Sequence, residues 1–180
     1  MITLKSAREI EAMDRAGDFL ASIHIGLRDL LKPGVDMWEV EEYVRRRCKE
    51  ENVLPLQIGV EGSIMDYPYA TCCGLNDEVA HAFPRHYILK DGDLLKVDMV
   101  LSEPIDKSVL DVSKLDFDNV AQVKKYTESY SGGLADSCWA YAIGTPSDEV
   151  KNLMEVTREA MYLGIEQAVV GNRIGDIGAA

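Results

Sequence analysis

The chain has 180 residues and is 47% hydrophobic, enough for one domain with its own core. With 31 acidic against 19 basic residues its formal net charge is -12, which argues against a nucleic-acid or anionic-membrane surface, because either needs a basic footprint. No apolar run reaches the ~18 residues of a membrane span, and the first residues read as a charged helix, not a signal segment.

The first predicted element runs from Ser6 to Leu31. Ser6 and Glu9 form a capping box, and Ile10, Met13, Ala16, Leu20, Ile23, Leu27 and Leu30 recur at helical steps on one face. Lys32-Pro33-Gly34 stops it, since proline cannot continue a helix and glycine accepts left-handed dihedrals. A second helix begins at Asp36, boxed by Glu39, with Val40, Tyr43, Val44, Arg47 and Cys48 on one side. Its Arg45-Arg46-Arg47 run reads as a solvated helix face, with a docking site as the alternative.

From Leu54 to Phe83 the texture changes to strands and turns. Tyr69–Cys73 and Glu78–Phe83 are short strand candidates around a Gly74-Leu75-Asn76-Asp77 turn. Lys90-Asp91-Gly92-Asp93 then turns into the apolar strand Leu94–Leu101. Such a succession of hairpins favours an antiparallel or mixed sheet over a doubly wound one. Residues 103–131, rich in Asp, Lys, Ser and Tyr, read as a surface excursion, helical toward its end through Val120, Val123, Tyr126 and Tyr130. A connection this long is uncommon in a compact domain and is often functional. Leu134–Ile143 is another apolar strand. A third amphipathic helix, capped near Asp148, is expected from Thr145-Pro146 to Val170-Gly171, and Asn172–Ala180 opens a fourth.

Two acids in these strands carry the chemical signal. Asp98 shares a strand face with Lys96 and Val100, and Asp136 follows the Gly132-Gly133 pair in the next strand. A carboxylate removed from water is costly unless a cation or a set of donors compensates it. The pair suits a hard or borderline divalent metal, or an acid/base pair of the glycosidase type, while a strand-end acid bonded to backbone N–H groups is the structural alternative. The cysteines Cys48, Cys72, Cys73 and Cys138 lack the paired CxxC spacing of a zinc site, and vicinal Cys72-Cys73 is a poor disulfide framework, so reduced thiols and a cytoplasmic setting are expected.

A shift of 137 residues lays Gly34…Glu39-Val40 on Gly171…Asp176-Ile177, each after a long amphipathic helix. A period this long suggests two structural copies, the second represented by its first helix and a start of the next.

The chain resembles the type I methionine aminopeptidases. The resemblance lies in Tyr67-Pro68…Cys72…Asn76-Asp77-Glu78-Val79-Ala80-His81-Ala82-Phe83-Pro84, in Leu89-Lys90-Asp91-Gly92-Asp93-Leu94-Leu95-Lys96-Val97-Asp98, in Gly133…Asp136 and in Ile177-Gly178-Ala179-Ala180. It implies an α/β (α+β) pita-bread fold of the creatinase/aminopeptidase kind, with a curved antiparallel sheet and flanking helices. Residues 1–144 would form the N-terminal half of the catalytic domain, with a surface insertion at about 103–131, and 145–180 the start of a second pseudo-symmetric half. It further implies two divalent metal ions (Co, Mn, Fe or Zn) held by two Asp, one His and two Glu, of which Asp98 and Asp136 match the two Asp. His81 matches a substrate-contacting, catalytic His that is not a metal ligand, and Tyr67 and Cys72 match walls of the methionine pocket. The implied reaction is removal of N-terminal methionine from peptides or nascent polypeptides by hydroxide attack on the first peptide bond. No nucleic-acid or membrane partner is expected.

The sequence departs from the family pattern at Glu61 and Ile64, where a Cys and a Tyr are often found, and in the 37 residues between Asp98 and Asp136, where a short loop is usual. The remaining His and both Glu ligands find no match within the 180 residues, so these residues alone are expected to be inactive. Two other readings are a non-catalytic binding module with 103–131 as its partner surface, and a prolidase-like peptidase of the same fold. His24 and His86 read as structural.

Overall fold

Ser6 caps the first helix as its sequence requires: its hydroxyl accepts from the Glu9 backbone N–H while the Glu9 carboxylate accepts from the Ser6 N–H. In the computed structural model, which describes residues 4–180, this helix is α1 (Ala7–Leu30). It is followed by α2 (Trp38–Glu50), β1 (Cys72–Leu75), β2 (Leu94–Ser102), α3 (Val120–Thr127), β3 (Leu134–Ala142), α4 (Asp148–Glu166) and α5 (Ile174–Ala179). The chain divides into two units, one running to Gly144 and the other Thr145–Ala180.

In the first unit β1, β2 and β3 form an antiparallel sheet in that order, with Cys72 opposite Asp98, Asp98 opposite Cys138, and Val100 opposite Asp136. Strand alternation splits β2 cleanly: Leu95, Val97, Met99 and Leu101 are fully buried, while Lys96, Asp98 and Val100 face the other way and are half-exposed. The buried face packs on helices. From α1 it receives Phe19, Leu20, Ile23 and Leu27, and from α2 Val40, Val44 and Cys48. The apolar stripe of α1 therefore begins later than its spacing suggests, for Ile10 and Met13 are exposed and Ala12 and Phe19 are buried.

Gly133 sits where β3 meets α1, and an added Cβ there would collide with the backbone of Ala12. Only glycine permits this approach, which fixes the height of β3, and hence of Asp136, over the helix. Glu103 holds the same corner, accepting from the Gly133 N–H and pairing with Arg15.

His24 is the other fixed point beneath β3. It is fully buried, stacks on Trp139 at 4.7 Å, and places Nε2 at 3.3 Å from the Ser137 carbonyl and Nδ1 at 2.7 Å from the Tyr141 hydroxyl. A neutral ring satisfies both contacts when Nε2–H donates to Ser137 and the single Tyr141 O–H is shared between Nδ1 and the His24 carbonyl 3.1 Å away. Burial pulls its pKa down from 6.5 to about 4, against the opposing bond to Ser137. The groups facing it are Tyr141, whose hydroxyl burial keeps protonated, and Arg28, whose guanidinium stacks over Trp139. In the unfolded chain His24 takes a proton below about pH 6.5. Its contribution to stability is therefore complete above that value and falls as pH drops toward 4. In urea unfolding of the full-length protein His24 should contribute a decline in stability of about 1 kcal/mol between pH 6 and 5, a contribution that His24→Gln removes. An unchanged slope in the variant would assign it to other groups.

Several elements differ from expectation. Glu78–Phe83 is not a strand: His81 has φ 55°, in the left-handed region, which breaks an extended run, and the segment is tied to β1 by the Cys73 N–H to the Ala82 carbonyl and by a turn in which Glu78 bonds Leu75. Asp36 lies two residues ahead of α2, its N–H donating to the Glu39 carboxylate as expected, while its own carboxylate accepts from the Trp38 N–H and binds the exposed His86. Arg45 does not join a solvated face. Its side chain is 16% exposed and bonds Glu41, Asp118 and the Pro68 carbonyl. The 103–131 segment does end in a helix, but it is no mere surface excursion, because Val112, Leu115, Phe117 and Val123 are buried in the core.

In the second unit Ser147 caps α4 by accepting from Val150 N–H. The helix ends at Glu166, short of Val170, and Gly164 lets Ile177 of α5 approach closely. No helix among the described residues is long and apolar enough to cross a membrane.

Candidate active site

The exposed face of the sheet carries the acids. Because paired residues of antiparallel strands share a face, Cys72, Asp98 and Cys138 form a row across the three strands. Asp136, opposite Val100, lies diagonally from Asp98, a relation that sets Cα atoms roughly 7–8 Å apart. A cavity of about 560 Å³ opens over this face, and Asp98, Asp136, His81, Tyr67 and Cys72 all line it. The five positions singled out in the sequence thus come together, although Asp98 to Asp136 and Tyr67 to Cys72 belong to separate stretches of chain.

The electrostatics are those of a place that favours a cation. Asp98 is pushed above the usual carboxylate range, first by burial and then by the Asp136 charge, with His81 opposing. A divalent ion between the two acids would reverse both effects. Asp98 is nonetheless half-buried rather than sealed in hydrocarbon, and Asp136 is exposed.

Cys72 is held in its thiol form. Burial raises its pKa and the nearby Asp98 raises it further, against bonds from Tyr67 and Gln57, and the side chain lines the cavity. Burial likewise keeps the Tyr67 phenol protonated, and it donates to the Thr71 carbonyl at 3.0 Å. Tyr67 and Phe83 pack edge to face at 5.2 Å, forming one aromatic side of the cavity.

Sequence reading missed Gln57. It lines the cavity, donates to Cys72 Sγ at 3.1 Å, and has a buried carbonyl oxygen without a partner among the described residues. A lone Gln between Leu56 and Ile58 gives no signal in a single sequence. It also missed Glu41, fully buried behind the pocket wall. Its carboxylate accepts from the Ala70 and Thr71 N–H groups, the Thr71 hydroxyl and the Arg45 guanidinium, at 2.8, 3.0, 2.6 and 2.6 Å. An acid on an amphipathic helix reads as solvated, and nothing local to Glu41 says otherwise. Glu61 and Ile64 both line the cavity rim.

Two carboxylates fixed on one face of a rigid sheet are oxygen donors of the kind a hard or borderline cation takes, and the family of the chain places them in the class of metallopeptidases. The chain belongs to metallopeptidase family M24, whose sequence pattern matches residues 11–102 and 125–180 and skips 103–124, most of the 103–131 segment. It is 31% identical over 180 residues to methionine aminopeptidase 1 of Bacillus subtilis, covering 100% of this chain and 60% of that relative. Among solved structures it superposes on a methionine aminopeptidase from Streptococci with TM-score 0.91 at 87% identity, covering 99% of this chain and 62% of that one. On the methionine aminopeptidase of Thermotoga maritima it superposes with TM-score 0.77 at 29% identity, covering 98% and 59%. These matches give the chain the α/β pita-bread fold. The chain spans about three fifths of the length of these relatives.

Family membership implies divalent metal, and the donors present fit it: oxygen ligands on one face, with mutual repulsion that a cation relieves. Among the described residues no group of three His, Cys, Asp or Glu is placed to hold an ion, so the set on this chain is partial.

Proposed function

We propose that the full-length polypeptide containing this chain removes the N-terminal methionine from peptides and nascent polypeptides in the cytoplasm. The observation that carries this reading is the meeting of Asp98, Asp136, His81, Tyr67 and Cys72 on one cavity, in a chain of family M24 similar to methionine aminopeptidases. Asp98 and Asp136 hold two divalent ions, drawn from Co, Mn, Fe and Zn, together with a His and two Glu supplied by residues outside these 180. When bound, such ions provide Lewis acidity and a water whose pKa falls toward ~7. His81 donates a hydrogen bond at the scissile amide as charge develops there, a contribution of ~10²–10⁴ in rate. Tyr67, Cys72 and the apolar side chains of Val60, Met65 and Phe83 enclose an unbranched thioether without charge. Residues 1–144 form the first half of the catalytic domain and 145–180 begin the second.

Full-length protein given Mn²⁺ or Co²⁺ should release free methionine from Met-Ala-Ser, and release nothing from the same peptide with a blocked α-amino group. Failure to release methionine with any of the four metals would overturn the assignment.

A further inference from the structure

We infer that the 103–131 segment is a clamp on the wall of the substrate pocket, and that Lys124 and Thr127 are positioning residues through which it sets selectivity for the first side chain. This rests on the aminopeptidase reading above. The wall is the loop 57–67, most of whose residues line the cavity. It closes on itself at its base, where Gly59 N–H donates to the Tyr67 carbonyl and Tyr67 N–H to the Val60 carbonyl, both at 2.8 Å. Beyond that base the loop is poorly held: Glu61, Gly62, Ser63, Ile64 and Met65 are exposed.

Helix α3 grips both arms of the base. Thr127 donates its hydroxyl to the Ile58 carbonyl at 3.1 Å, and Lys124 pairs with Asp66 at 2.8 Å. Between these bonds the helix backbone presses on Gly59, where a Cβ would come 2.9 Å from the Lys124 Cα, and φ +89° also demands glycine. A third tie runs through Asp118, which pairs at 2.6 Å with Arg45, and Arg45 donates to the Pro68 carbonyl at the loop's exit. Val123, fully buried in the core, anchors the helix itself. The bonds of α3 and Asp118 therefore run to the pocket wall, while Ile105, Leu110 and Val112 tie to Asn52, and a surface used only for an external partner would need none of them.

The test uses the full-length protein and the double variant Lys124→Ala/Thr127→Val, which releases both arms but leaves Val123 to hold α3. Amide hydrogen exchange should accelerate about tenfold in 58–67, the opening allowed by two lost bonds, with the sheet unchanged. KM for Met-Ala-Ser should rise by a similar factor with kcat nearly constant, and preference for methionine over leucine at the first position should narrow. Lys124→Arg/Thr127→Ser should restore exchange, KM and preference. Unchanged exchange in 58–67 overturns the clamp, as does a fall in thermal stability with KM and preference intact. Should wild-type protein release no methionine, the aminopeptidase reading fails by itself, and the exchange experiment still decides whether the clamp exists.

Discussion

Asp98→Asn in the full-length polypeptide should lower methionine release by at least about 10³-fold, the equivalent of the several kcal/mol that a correctly held metal contributes. Asparagine keeps the size of the side chain and removes the charge, so β2, with four fully buried apolar residues on its other face, has no reason to unfold. The charge is what the site uses. Asp98 is disfavoured as a carboxylate by burial and by Asp136, and only a cation makes the two acids mutually helpful. The loss should appear in kcat as well as kcat/KM, since the ion acts in the reacting complex, and excess Mn²⁺ should recover only part of it. Turnover within tenfold of wild type would remove Asp98 from the metal site.

Glu41→Ala should destabilise the full-length protein by about 3–5 kcal/mol in urea unfolding, the cost of breaking a buried ion pair by deleting one partner. Four donors lose their acceptor at once: two backbone N–H groups, the Thr71 hydroxyl and Arg45 Nε. Arg45 retains Asp118 and the Pro68 carbonyl, but the Ala70 and Thr71 amides remain buried with nothing to accept from them. Those amides precede Cys72, so methionine turnover should fall as well as stability. A loss below about 1 kcal/mol would mean that water replaces the carboxylate and that the network is not structural.

How much of this the sequence revealed depends on whether the cause was local. The capping box at Ser6, the period-two alternation of β2 and the acid inside each apolar strand are local patterns, and each holds in the structure. That Asp98 and Asp136 share a cavity is set by a strand register that a single sequence does not state. Glu78–Phe83 has the composition of a strand, yet the left-handed backbone at His81 turns it away. Arg45 looked solvated because its neighbours in sequence are charged, whereas besides Glu41, itself buried, its partners lie 23 and 73 residues away. The 103–131 segment hid its anchors for a related reason. Val112, Leu115 and Phe117 follow no helical or strand period, because they descend from short turns onto the core one at a time, while Val123 sits on the expected helix.

The measurement closest to the central claim is anomalous scattering at the manganese edge from crystals of the full-length protein grown with Mn²⁺. The account predicts strong peaks within bonding distance of both the Asp98 and Asp136 carboxylates. Peaks absent from that face, with both acids turned to bulk solvent while the protein still releases methionine, would contradict it.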